Sequence, residues 1–125
     1  MDFLPSIFTK LSEYSTTLGE QPAAIGDDDR LSFQRLNFLV DQLVADFRHK
    51  GVVEGVVVGL RFRDPLKHLV VSLALFKGGV TQVSIPPRES EQAQKKIVDA
   101  TAVSMVRSEE RRVGKALRSR WSQND

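Results

Sequence analysis

Leu4, Ile7, Phe8, Leu11, Tyr14 and Leu18 recur at steps of three and four residues, the spacing that gathers apolar side chains on one helix face. Gly19 and Pro22 end the pattern, so residues 1–19 read as an N-terminal amphipathic helix with that stripe buried. "PAAIG" then reads as a short strand, Asp27, Asp28 and Asp29 as a polar turn, and "RLSF" as the returning strand of a hairpin. The most regular stretch follows: Leu36, Leu39, Val40, Leu43, Val44 and Phe47 hold a 3.6-residue period and predict a helix from about residue 33 to 50. Ser32 is its cap, His49 and Lys50 put positive charge at its carboxyl end, and Gly51 can close it in the left-handed conformation.

"GVVVGLRF", residues 55–62, sets β-branched residues on consecutive positions, as a strand covered on both faces requires. Asp64 with Pro65 marks a helix start, Leu66, Leu69, Val70, Leu73, Ala74 and Phe76 form its apolar stripe, and "KGG" stops it. "VTQVSIPP" is a second strand, closed by Pro86 and Pro87, which cannot donate to a ladder. Ser90 caps a polar helix to about Ala100, and "AVSMV", residues 102–106, is a third strand. Strand, helix, strand, helix, strand with short connections predicts an α/β fold: a parallel sheet with helices on its faces and right-handed crossovers.

Composition narrows the class. With 27% charged and 41% hydrophobic residues over 125 positions, the chain has the makings of one folded domain and not of a disordered segment. The absence of cysteine excludes disulfides, a thiolate nucleophile and Cys-based zinc sites. "LVVSLALF" is far shorter than the roughly 20 apolar residues of a membrane-spanning helix. "MDFLPS" carries an acid where a secretion signal carries Lys or Arg, so a cytoplasmic location is expected. The net charge of +2 is uneven, because residues 107–125 hold net +3 and leave the preceding body slightly acidic. The body therefore has no electrostatic footprint for nucleic acid. The basic stretch is "RSEERRVGKALRSRW", which also contains the sole tryptophan, Trp121.

Local motifs do not define an active site. Asp64, His68 and Ser72 share one helix face at i, i+4 and i+8, but a single straight helix offers neither a strained nucleophile turn nor oxyanion donors. Asp27, Asp28 and Asp29 lack the alternating spacing and closing glutamate of a calcium loop. Gly51, Gly55 and Gly59 match neither dinucleotide-binding nor Walker spacing, and read as markers of helix end and strand entry. His49 and His68 stand alone on helices. No catalytic, cofactor-binding or metal-ligating residue is assigned.

The larger pattern is more informative. "LSFQRL", "GVVEGVVVGLRFRD", "LALFKGGVTQVSIPP" and "IVDATAVSMV" follow "PAAIG" in the order and spacing of the N-terminal part of the adenylate-forming enzymes. That superfamily includes acyl-CoA synthetases, luciferases and nonribosomal peptide synthetase adenylation domains, and residues 20–106 resemble it without a gap. Arg35 departs from the glutamate that would complete a capping box with Ser32, and Val56 from the usual aspartate after Gly55. The resemblance implies a truncated three-layer parallel-sheet subdomain, preceded by a small hairpin and a helix. It also implies a parent that uses ATP and magnesium to activate a carboxylate, then passes the acyl group to coenzyme A or a phosphopantetheine arm. The phosphate loop, adenine- and ribose-binding segments and catalytic lysine of the superfamily have no counterpart in these 125 residues. The implied chain is an inactive N-terminal fragment that needs no cofactor of its own and whose partner is the remainder of its enzyme. A non-catalytic α/β interaction module is the alternative, and a nucleotide-binding domain of another type lacks a Gly-rich loop after any strand.

The resemblance stops at Val106. Residues 107–115 and 118–122 resemble sequencing-adapter DNA translated in one frame, with Ala116 and Leu117 the only differences, for which there is no account. Residues 107–125 are therefore expected to be an artefactual basic tail. Carboxylate substrate, acceptor thiol and oligomeric state are not legible.

Overall fold

The polypeptide folds, in chain order, into α1 (Phe3–Thr17), β1 (Pro22–Ile25), β2 (Arg30–Ser32), α2 (Phe33–His49), β3 (Val57–Arg61), α3 (Pro65–Lys77), β4 (Thr81–Ser84), α4 (Glu91–Ala100) and β5 (Met105–Ser108). The structure, a computed structural model, describes residues 3–108, with side chains from residue 7 onward. Trp121 and nearly all of the basic stretch lie outside the described residues.

Side-chain caps fix where three helices begin. Ser32 Oγ accepts from the Arg35 amide at 3.1 Å, Asp64 Oδ1 from the Leu66 amide at 2.9 Å, and Ser90 Oγ from the Ala93 amide at 3.1 Å. Each removes one of the donors that a helix start leaves unpaired. The ends of α2 and α3 are closed alike. Gly51 (φ 81°) and Gly79 (φ 74°) take left-handed conformations, while the amides of Val52 and Val80 reach back to the carbonyls of Phe47 and Leu75 at 2.7 and 2.9 Å. This double-bonded closure turns the chain sharply and brings buried Val52 and Val80 under their helices.

β1 and β2 form an antiparallel hairpin, and the order β4-β3-β5 forms a parallel sheet. Alternation along β3 sorts the sheet's two faces. Val58 and Leu60 point into the main core, where Leu39, Val40, Leu43 and Phe47 of α2 meet Val70, Val71, Ala74 and Leu75 of α3. Gly59 and Arg61 point the other way, and Arg61 reaches Gln94 of α4. The chain steps from β3 to β4 and then back across β3 to β5, so two crossovers of the same hand place α3 and α4 on opposite faces. The three-layer arrangement follows, with unequal layers: α4 contributes no buried residue. No helix among the described residues is long and apolar enough to cross a membrane.

Several boundaries differ from the sequence reading. Tyr14 and Leu18 are exposed and not part of the buried stripe; Phe8 and Leu11 pack on the core, and Tyr14 stands edge-on to Phe33 at 5.4 Å. Phe33 opens α2 instead of ending the hairpin, because Ser32 already caps the helix. β3 starts at Val57, since Gly55 (φ 100°) belongs to the preceding turn. β4 stops at Ser84, short of the proline pair. Ala102 takes φ 56°, which bars it from a strand and delays β5 to Met105. β5 then runs to Ser108, two residues beyond the point where the resemblance stops, because Arg107 and Ser108 continue the register against Leu60 and Arg61.

Candidate functional site

The residues singled out for possible chemistry are dispersed into structural roles. Asp64 caps α3. Ser72 Oγ donates to Gln82 Oε1 at 2.6 Å while Gln82 Nε2 donates to the Ser72 carbonyl at 2.9 Å, a reciprocal pair that ties α3 to β4. The Ser72 hydroxyl is thus engaged away from His68. Asp29 accepts from the Arg30 amide at 2.8 Å through Oδ1, and its carbonyl accepts from the Gly26 amide at 2.7 Å, so the acidic run builds the hairpin turn. His49 is exposed at the last position of α2 and His68 is half-buried on α3. Among the described residues, no three His, Asp or Glu side chains converge as metal ligands would. Gly51 does end a helix, but Gly59 lies inside β3 and not at its entry. There, a Cβ would stand 2.5 Å from Ile85 Cδ1 and 3.3 Å from Val103 Cγ1, so the missing side chain lets the segments over the sheet approach it closely.

In open parallel sheets, ligands gather beyond the carboxyl ends of strands where the strand order reverses. Here the reversal falls at β3, and the crevice beyond β3 and β5 is about 390 Å³. Arg61, Gln94 and Lys95 line it with Ile85, Val98 and Val106. Arg61 Nη1 donates to Gln94 Oε1 at 3.1 Å, and Gln94 Nε2 donates to the Glu89 carbonyl at 2.9 Å, so the β3–α4 side of the crevice is cross-braced. Lys95 pairs with Asp99 at 2.8 Å, and that hydrogen bond and charge raise its pKa above the usual lysine value. These groups can orient a polar ligand or brace a neighbouring segment. Arg61 and Gln94 lie 33 residues apart, and no local motif could have signalled their meeting.

Among the described residues, the loop after β3 does not have the form of a phosphate cradle. The loop after β3, Phe62 to Asp64, has no glycine. The helix it leads into carries a carboxylate at its cap and Pro65 at its first position. An incoming phosphate would meet negative charge and one fewer backbone donor, the reverse of an anion cradle.

The fold so defined is that of the opening part of an adenylation-type N-terminal subdomain. The Klebsiella oxytoca NpsA N-terminal subdomain superposes with TM-score 0.74 at 20% identity, over 85% of this chain and 27% of that one. E. coli MenE with a bound OSB-AMS analogue superposes with TM-score 0.65 at 24% identity, over 81% of this chain and 23% of that one. Among curated proteins, the chain is similar to nonribosomal peptide synthetases over a partial region. It is 38% identical over 79 residues to nonribosomal peptide synthetase ungA of Aspergillus violaceofuscus, covering 63% of this chain and 1% of that protein. It is 34% identical over 98 residues to bacitracin synthase 2 of Bacillus licheniformis, covering 77% of this chain and 4% of that protein. The chain thus spans a few per cent of the length of these relatives. No family model matches it.

Proposed function

We propose that this chain is the N-terminal portion of an ATP-dependent, carboxylate-activating enzyme of the adenylate-forming type, and that it has no catalytic activity by itself. The observation that carries the reading is the agreement of two independent comparisons on one class: sequence similarity to peptide synthetases over 77% of the chain and superposition on an adenylation subdomain over 85%. In the parent, a carboxylate would displace pyrophosphate from magnesium-bound ATP to give an acyl- or aminoacyl-adenylate, and the thiol of a carrier-protein arm or coenzyme A would then take the acyl group with release of AMP. The braced layer of α2, α3 and the three-stranded sheet serves as scaffold, and the catalytic groups come from the rest of the parent polypeptide. The exposed α4 face and the edge of β5, which among the described residues pairs only with β3, fit this role, since such surfaces are ordinarily covered. The location proposed for the parent is the cytoplasm.

Transition-state charge in adenylyl transfer is stabilised by positioned donors and metal, and the described residues supply no such set. The 125-residue chain, tested for carboxylate-dependent ATP–pyrophosphate exchange against a panel of amino, aryl and fatty acids, is expected to give background rates only. Exchange above background with any acid would refute inactivity. The same proposal holds residues 107–122 to be adapter-derived and residues 107–125 to be an artefactual tail; a genomic locus that reads codons 107–122 into a natural frame would refute that part alone.

A further inference from the structure

We infer that the position held by Arg107 is an aliphatic slot at the edge of the main core, and that Arg107 is a misfit in it. The argument begins with register. Met105 pairs with Val58 and Arg107 with Leu60, and partners in a parallel ladder project to the same face. Val58 and Leu60 are 0% and 1% exposed in the layer under α2 and α3, so residue 107 is directed into the same layer. Its neighbours there are apolar: the guanidinium carbon lies 5.9 Å from the centre of the buried Phe47 ring, and Nη2 is 3.5 Å from Met105 Sδ, a weak acceptor. Nε is buried without a hydrogen-bond partner, the only side-chain nitrogen or oxygen in that state among the described residues. Desolvation, with no compensating carboxylate, lowers the guanidinium pKa from its ordinary value.

Arg107 is partly exposed, so its guanidinium keeps some hydration, but the buried Nε has neither water nor a partner and carries the cost of an unmade hydrogen bond. The cation–π contact with Phe47 recovers part of that cost at a half-exposed edge. The remainder is a conflict between one residue and the strand around it, of the kind that sequences selected for a fold avoid. An aliphatic residue would retain the packing on Phe47 and Met105 and remove the orphaned donor. The inference concerns the slot and stands apart from the origin proposed for residues 107–125, which nucleotides decide.

The test compares the 125-residue chain with Arg107→Val, Arg107→Leu and, as a control for added hydrophobicity, Arg88→Leu at an exposed loop position. Thermal unfolding followed by far-UV circular dichroism is expected to show midpoints about 4–8 °C higher for both Arg107 variants, with Arg88→Leu unchanged. Amide hydrogen exchange at Leu60 and Arg61 is expected to slow by about tenfold in the same two variants, a readout that serves whether or not unfolding is cooperative. Unchanged or faster exchange in Arg107→Val and Arg107→Leu would overturn the inference. So would an equal gain in Arg88→Leu, since general hydrophobicity would then account for it.

Discussion

Gly59→Ala puts the packing of the α4 side of the sheet to a quantitative test. The backbone at Gly59 is not in the left-handed region, so alanine is conformationally acceptable and gains about 0.4–1 kcal/mol by restricting the unfolded chain. Against this stands the new Cβ, 2.5 Å from Ile85 Cδ1 and 3.3 Å from Val103 Cγ1. Ile85 is 2% exposed and its amide is held by the Leu60 carbonyl at 2.7 Å, so only its side chain can yield. Overpacking of this kind costs about 1–3 kcal/mol, which outweighs the gain and leaves a net loss of about 1 kcal/mol. The diagnostic partner is Ile85→Val, which deletes the clashing Cδ1. By itself it costs about 0.5–1.5 kcal/mol, but in the Gly59→Ala background it relieves the clash, giving a favourable coupling of about 0.5 kcal/mol or more. Urea unfolding of the four chains of the cycle, followed by circular dichroism, reads both numbers. A neutral or stabilising Gly59→Ala, or strict additivity with Ile85→Val, would refute the reasoning.

Two further perturbations probe the joints between elements. Ser72→Ala leaves Gln82 Oε1 without its 2.6 Å donor at the α3–β4 contact and is expected to cost about 1–3 kcal/mol, whereas Ser104→Ala, whose hydroxyl bond to Val57 is exposed, changes little; urea midpoints separate the two. Ser32→Ala removes the α2 cap and is expected to cost about 1 kcal/mol, while Ser32→Asp restores the bond to Arg35 and most of the stability; faster amide exchange at Arg35 in the alanine variant alone is the confirming signature.

The elements that could be read from the sequence are those whose determinants are local. α2 carries its period, its serine cap and its closing glycine within twenty residues, and all three occupy the expected places. Asp64-Pro65 and Ser90 likewise mark the starts of α3 and α4 without reference to the rest of the molecule. β5 departs from the sequence expectation because its limits are set from afar: Ala102 turns the backbone away from extension, and the ladder with β3 carries Arg107 and Ser108 into the strand. The same holds for the crevice, whose Arg61–Gln94 bridge joins β3 to α4 across a separation that no spacing rule reports. The Asp64, His68 and Ser72 series shows the converse. Its spacing shares one helix face, yet what decides the serine's role is Gln82, on another element.

β3 is flanked on both sides, by a strand made soon after it and by another made only after a further helix. During synthesis, the first pairing can close once β4 has left the ribosome, but the second must wait for residues 105–108. Until then one side of the most central strand stays unsatisfied, and the ladder with β5 pays the larger loop-closure entropy. The nascent chain is therefore expected to pass through a two-stranded stage stabilised by α2 and α3, with β5 acting as the latch that closes the second side of β3.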